Sequence, residues 1–255
     1  MPDKKQLHLK VIACKALLRE TCAFVAESDH VVDLEFFGLA LHDDPSKMAA
    51  ELQARIDASV GMGYDAIIIG AGLCGNGVVG VTARDIPLVL PRVDDCAVLF
   101  LGSRERFLAD HEANPGTYYY LPGWLDQAEP NREQGLFWRP GAQEAIHQHY
   151  VERYGEDNAD YLMETLHGWQ GAYSRACYID TGLSTEAQLA RYRRQTREIA
   201  ESCGWRYDEL RGDPHLMRRL IEGIWPPEQF LIVPPGAQVQ PSYDGTIMRT
   251  VPSDS

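Results

Sequence analysis

Three cysteines are the residues of this chain with the clearest potential for chemistry. Cys14, Cys74 and Cys96 each follow a different predicted parallel strand, so all three belong to one edge of a sheet. Three thiolates from three loops suit a soft metal, either zinc or an iron–sulfur cluster with one iron open to substrate. The alternative is core filler, because buried cysteine is common and no Cys-x-x-Cys spacing supports a metal.

Side chains that move protons lie near the same predicted edge. His42 follows the second strand and is a candidate fourth ligand or proton carrier; a merely solvated loop histidine is the alternative. Asp94 and Asp95 come directly before Cys96 and are candidate general bases or ligand-orienting groups. Capping of the next element is their alternative role.

Two arginines add positive charge to this edge. Arg92 and Arg104 suit a small anionic substrate that carries a carboxylate or a phosphate. Ion pairs on a helix surface are the alternative role for both.

A glycine-rich loop surrounds the central cysteine. Gly72, Gly75 and Asn76 are expected to let the backbone approach a ligand closely around Cys74. The loop also matches the G-x-G-x-x-G pattern of nicotinamide and flavin sites. Two more glycines follow it and leave no well-formed helix to face a pyrophosphate, which disfavours a dinucleotide. Metal-free nucleophilic catalysis by Cys74, with a pKa lowered by backbone N–H groups, is a further hypothesis.

The elements that must position these residues alternate in type. Strands are predicted over 7–13, 31–37, 65–69 and 87–90, a helix follows Ser46, and 96–101 is predicted as a short strand or buried turn. This order predicts an α/β fold of mostly parallel sheets with helices on both faces.

Two Rossmann-like lobes are predicted. The polar stretch 131–141 is the expected boundary, which gives an N-terminal lobe, 1–130, with the cysteine site and a C-terminal lobe, 131–255. The last strand, 229–236, falls in the second lobe, and the tail past Tyr243 is expected to fray.

Composition limits the function classes. The 255 residues are 45% hydrophobic and 24% charged, as in ordinary globular proteins. A formal charge of −13 with scattered Lys and Arg argues against nucleic acid as a partner. No apolar run approaches the length of about 18 residues for a membrane span, and the N-terminus leads into a strand, so we expect a cytoplasmic protein.

The remaining cysteines are not expected to join the site. Six cysteines in a cytoplasmic protein do not predict a disulfide framework. Cys22 and Cys203 lie on helical patterns, with Cys22 expected in the core, and Cys177 opens a strand at the opposite edge.

Several motifs resemble an uncharacterised prokaryotic family catalogued as domain of unknown function 1638. The matching segments are Val11–Cys14, Leu41–Pro45, Gly72–Gly77, Pro91–Cys96, Leu101–Arg104 and Pro115–Trp124, with weaker similarity at Tyr178–Gly182 and Pro234–Gly236. One position departs from the family pattern, which has His-Asp-Cys where this chain has Asp94-Asp95-Cys96. A role of that histidine would pass to Asp94 or be lost.

The resemblance implies a metabolic setting but no reaction. Genes of the family often accompany corrinoid methyltransferases and their reductive activators, which implies a part in corrinoid-dependent one-carbon or methylamine metabolism. The leading hypothesis, which rests on the three cysteines, is a metal- or iron–sulfur-dependent enzyme, a transferase or lyase, that acts on a small anionic substrate in this setting. A non-catalytic partner or loading protein for a corrinoid methyltransferase, with the corrinoid on the partner, is the alternative from another class. Three cysteines on three strand ends also resemble the cluster sites of quinolinate-synthase-like enzymes, in architecture only.

Overall fold

The structure is a computed structural model that describes residues 5–39, 41, 44–128, 142–167 and 171–253. Within these residues, no helix is long and apolar enough to cross a membrane.

Strands and helices alternate along most of the chain. The first half contains β1 (His8–Cys14), a 3-10 turn (Lys15–Leu17), α1 (Leu18–Glu27), β2 (Val31–Phe37), α2 (Pro45–Ala58), β3 (Ala66–Gly70), β4 (Leu88–Pro91), α3 (Cys96–Leu101), α4 (Arg104–Ala113), β5 (Thr117–Tyr120) and α5 (Pro122–Ala128). The second half contains α6 (Ala142–Tyr154), α7 (Glu156–His167), β6 (Arg175–Asp180), α8 (Glu186–Cys203), β7 (Arg206–Arg211), α9 (His215–Ile221), β8 (Phe230–Val233), β9 (Ala237–Pro241) and β10 (Met248–Pro252). The predicted α/β class with largely parallel sheets is confirmed.

The chain forms two compact units. The first comprises Met1–Arg104 and Asp213–Ser255, and the second comprises Glu105–Gly212. This grouping differs from the predicted lobes 1–130 and 131–255, because the C-terminal segment returns to the first unit instead of completing the second. The predicted boundary stretch 131–141 lies outside the described residues.

The sheet of the first unit runs in the order β2-β1-β3-β4-β8. β1 pairs in parallel with both β2 and β3, and β3 pairs in parallel with β4. Every residue of β3 and β4 is buried, as expected of central strands covered on both faces. The three strands that precede the candidate cysteines are therefore neighbours, with their carboxyl ends at one edge.

The C-terminal segment corrects two sequence predictions. β8 pairs antiparallel with β4, so the last predicted strand completes the first sheet. The tail past Tyr243 does not simply fray, since β10 pairs antiparallel with β9 over five residues. The order of elements along the chain did not predict that the C-terminal segment joins the sheet of the first unit.

Residues 96–101 form a helix, not the predicted strand or turn. Asp95 caps the helix N-terminus, and Gly102 ends it with a left-handed backbone at φ +87°. All six residues of α3 are buried, so no polar position marks a helical period in this run.

The second unit has its own parallel sheet, in the order β5-β6-β7. Its core contains Tyr120, Leu125, Tyr178 and Tyr192. The buried Arg175 is paired with Asp110 and Asp208, which offsets the cost of burying its charge.

Gly70 tests the close approach of β1 and β3 beside the cysteine loops. A Cβ at Gly70 would lie 2.6 Å from the Cβ of Ala13, its partner across the strands. We expect Gly70→Ala to lower the free energy of unfolding by about 1–3 kcal/mol, measured by urea denaturation. The control is Gly38→Ala, where a Cβ meets nothing within 4 Å and a change within about 0.5 kcal/mol is expected. Equal effects of the two substitutions would contradict the proposed crowding.

Candidate functional site

The loops that follow β3 and β4 are tied together through their backbones. The N–H of Leu73 donates to the carbonyl of Val93 at 2.9 Å, and the N–H of Cys74 donates to the carbonyl of Asp94 at 3.1 Å. Gly72 permits this approach, because a Cβ there would lie 3.1 Å from the Val93 oxygen. The close approach at Gly72 is thus made by the neighbouring loop, and the approach of a ligand there stays a prediction.

Cys74 and Cys96 are in contact. Their Sγ atoms are 3.6 Å apart. Cys74 is partly buried and has φ +46°, and the next two residues, Gly75 and Asn76, also have positive φ, at +64° and +76°. Three successive left-handed residues turn the loop back sharply, which explains a glycine and an asparagine at these positions. Cys96 is 5% exposed and is the first residue of α3.

Cys14 lies at the same edge of the sheet, as the last residue of β1. Its side chain is fully buried, and its Sγ accepts a hydrogen bond of 3.4 Å from the backbone N–H of Ala16. Because Ala13 pairs with Gly70 across β1 and β3, Cys14 lies beside the start of the loop that carries Cys74.

Two of the thiols resist ionisation. The hydrogen bond with Cys96 is the largest of the causes that raise the pKa of Cys74 well above its usual value, followed by burial and by the charges of Cys96 and Asp95. Burial, and then Cys96, raises the pKa of Cys14, against a smaller opposite effect of the Ala16 N–H. Without a cation, these thiols therefore stay protonated at neutral pH.

The contact distance fits two ligands of one soft ion. Two sulfurs each about 2.3 Å from a tetrahedral zinc lie about 3.8 Å apart, close to the 3.6 Å observed. Among the described residues, no group of three or more His, Cys, Asp or Glu side chains is arranged to hold a metal. Cys74 and Cys96 thus have the separation of a ligand pair, and Cys14 would need to shift to join them.

The aspartates before Cys96 have structural partners. The carboxylate of Asp95 accepts the N–H of Ala97 at 2.7 Å and caps α3, which is its alternative role from the sequence. The carboxylate of Asp94 accepts from Arg104 Nε at 2.7 Å, with both side chains about two-fifths exposed. A catalytic role for either aspartate stays a prediction.

Arg92 supports the fold through backbone contacts. Its guanidinium donates to the carbonyls of Pro227 at 2.8 Å and Thr246 at 2.9 Å, and to the carbonyl of Met248. These bonds hold the returning C-terminal segment beside β4. Nothing in them requires a substrate anion, so anion binding by Arg92 stays a prediction.

The remaining sequence candidates lie elsewhere. His42 lies outside the described residues. Cys22 is exposed, which corrects its predicted place in the core; it lies on the solvent-facing side of α1, whose inward positions are Glu20, Thr21 and Phe24. Cys177 is buried in β6 and Cys203 ends α8, both in the second unit.

The sequence reasoning missed the groups that shape the thiol loops. These groups are the N–H of Ala16 and the carbonyls of Val93 and Asp94. Every residue has such backbone groups, so the residue types do not predict which of them make these contacts. Met48 packs against Gly77, at the place where a side chain of that residue would lie. Met48 belongs to the row of apolar residues along one face of α2. That pattern predicts a buried side chain, but it does not predict this contact.

The chain was compared with known protein families and proteins. A family model described as "Protein of unknown function (DUF1638)" matches residues 36–221. This range includes Cys74 and Cys96 and begins after Cys14. The comparisons with curated proteins and with solved structures gave no match.

The cap of α3 gives one prediction. We expect Asp95→Ala to lower the free energy of unfolding by about 1 kcal/mol, since the Ala97 N–H loses its acceptor. Asp95→Asn keeps an acceptor oxygen and should cost only a few tenths of that amount. Urea denaturation of the two variants measures the difference, and equal losses would contradict the capping role.

The thiol contact gives a second prediction. Cys96→Ala removes the largest cause of the raised Cys74 pKa, so the pKa should fall. The alkylation of Cys74 by iodoacetamide is followed by mass spectrometry in reduced, metal-free protein. As the pH is increased, the alkylation rate should start to rise at a lower pH in the variant than in the parent. Cys22→Ala is the control and should leave the profile unchanged. An unchanged or upward-shifted midpoint in Cys96→Ala would refute the coupling of the two thiols.

Proposed function

This chain belongs to the DUF1638 family, and we propose that in it Cys14, Cys74 and Cys96 form a soft-metal centre, holding zinc or an iron–sulfur cluster. The centre would serve an enzyme that acts on a small anionic substrate. The corrinoid-linked one-carbon setting is part of the proposal and rests only on what the family resemblance implies.

One observation carries the proposal. The Sγ atoms of Cys74 and Cys96 are 3.6 Å apart, although their residues follow different strands. Filler cysteines need no such contact, because a buried thiol packs as well against any apolar neighbour. Two sulfurs at this separation match the edge of a tetrahedral thiolate site.

Electrostatics gives the same pair a reason to bind a cation. The burial and mutual proximity that raise the pKa of Cys74 and Cys14 would be offset by a positive ion between the sulfurs. The Ala16 N–H already donates to Cys14 Sγ, a contact typical of the outer shell that steadies a thiolate ligand.

Neighbouring groups suit the binding of an anion and the movement of a proton. A three-thiolate centre leaves a coordination position open and supplies Lewis-acid chemistry there when the metal is bound. Arg104 would attract a carboxylate or phosphate, with Asp94 holding its guanidinium in place. Asp94, Asp95 or His42 would carry the proton.

Metal-free nucleophilic catalysis by Cys74 is the weaker proposal. A nucleophilic cysteine needs a lowered pKa, so that a thiolate is present at neutral pH. The pKa of Cys74 is raised instead, chiefly through its hydrogen bond with Cys96. The pair therefore favours a role that removes both protons together.

Metal analysis tests the proposal directly. We expect protein purified without oxygen to contain close to a full equivalent of zinc or iron. Serine substitution of Cys74 or Cys96 should remove most of it, because each variant deletes a thiolate ligand. Elemental analysis and the absorbance spectrum of a cobalt-substituted sample provide independent measurements.

The controls keep the result specific. Cys177→Ser, at a buried cysteine of the second unit, should retain the metal and so excludes a general effect of losing a buried thiol. Less than about a tenth of an equivalent in the parent protein, also after anaerobic reconstitution, would remove the proposal.

A further inference from the structure

We infer that Cys74 and Cys96 are also a redox-active dithiol, which small disulfide oxidants such as oxidised glutathione convert into an intramolecular disulfide. The disulfide itself requires no metal. Its consequence, that oxidation withdraws two of three sulfurs from the metal centre, rests on the proposed function.

The geometry needs only a small movement to form the bond. The two Sγ atoms are 3.6 Å apart, and a disulfide of about 2.05 Å requires them to close by about 1.6 Å. Van der Waals contact already orients the two side chains toward each other. The bond from the Cys74 N–H to the Asp94 carbonyl keeps the two backbones close while the sulfurs approach.

The two residues differ in their freedom to move. Cys74 lies in the loop of residues 71–87, which the structure describes fully and which holds no helix or long strand. Cys96 is held by the buried helix α3. Rotation of the Cys74 side chain and adjustment of its loop can therefore close the gap without disturbing the sheet.

Exposure decides the order of events. Cys74 is partly exposed and Cys96 is 5% exposed, so the external disulfide meets Cys74 first. Cys74 gives up its proton to solvent as its sulfur attacks one sulfur of the oxidant, which forms a mixed disulfide and releases the first thiolate. The Cys96 thiolate then attacks the Cys74 sulfur, and the second thiolate leaves. Two electrons pass to the oxidant, and the two cysteine protons end on its two thiols.

Cys14 should stay reduced. Its side chain is fully buried, so an external disulfide has no access to its sulfur. The inference therefore names one pair out of the six cysteines.

Mass spectrometry of the full chain tests the inference. Reduced, metal-stripped protein is incubated with oxidised glutathione, quenched with acid, alkylated with a maleimide under denaturing conditions and digested. We expect a peptide linked through Cys74 and Cys96 and the loss of these two thiols from the labelled set, with any lasting glutathione adduct confined to other accessible cysteines such as the exposed Cys22. Six labelled thiols, a lasting glutathione adduct on Cys74, or a link through any other cysteine would overturn the inference.

Single variants separate the two steps. Cys96→Ser should accumulate a glutathione adduct on Cys74, because the resolving thiol is missing. Cys74→Ser should leave Cys96 unmodified, since its sulfur is shielded. The matched control Cys22→Ser removes an exposed thiol and should still form the link. Circular dichroism checks that each variant folds, and alanine replaces serine where it does not.

A zinc arm distinguishes this inference from the proposed function. Zinc added before the oxidant should slow formation of the link by about tenfold or more, because bound thiolates do not attack. A link that forms equally fast, in protein that binds no zinc, supports the dithiol and removes the zinc form of the metal centre. If the protein binds zinc but forms no disulfide after the metal is removed, the result overturns the dithiol and keeps the metal centre.

Discussion

The contact between the loops after β3 and β4 is the constraint on which the site depends. Two backbone hydrogen bonds join the loops, and Gly72 leaves room for them. Because the bonds hold one loop backbone against the other, they keep Cys74 and Cys96 close enough for their Sγ atoms to meet. The absence of a Cβ at Gly70 permits the close approach of β1 and β3, and the parallel pairing of these strands brings Cys14 to the same edge.

Buried thiols in contact create an electrostatic problem with two chemical solutions. Ionising Cys74 beside Cys96 is unfavourable, and burial makes it more so. A soft cation would offset the charge of both thiolates, whereas oxidation to a disulfide would remove both protons and leave no charge. The two states exclude each other, since a sulfur in a disulfide is no longer a thiolate ligand. The same geometry thus links the proposed metal centre to the redox state of its surroundings.

Several residues with the chemistry of catalysts are engaged in holding the backbone. Asp95 caps α3, and Arg92 donates to carbonyls of the C-terminal segment. Charged side chains near a predicted edge are ambiguous in a sequence, because one carboxylate can cap a helix or take a proton. Only the partners of each group distinguish the roles. Asp94 and Arg104, paired and partly exposed, keep the features that a substrate site needs.

The sequence by itself determined the alternation of elements, the parallel order and the placement of three cysteines after three strands. Those features follow from local periodicity, and β2 matches its predicted range of 31–37. It did not determine that 96–101 is a helix, because six apolar residues have no polar face from which to infer a period. Only the tertiary structure decided that β8 returns to pair with β4 and that two sulfurs meet at 3.6 Å. The physical reason is that such pairings depend on backbone hydrogen bonds between segments distant in the chain, which residue types do not encode locally.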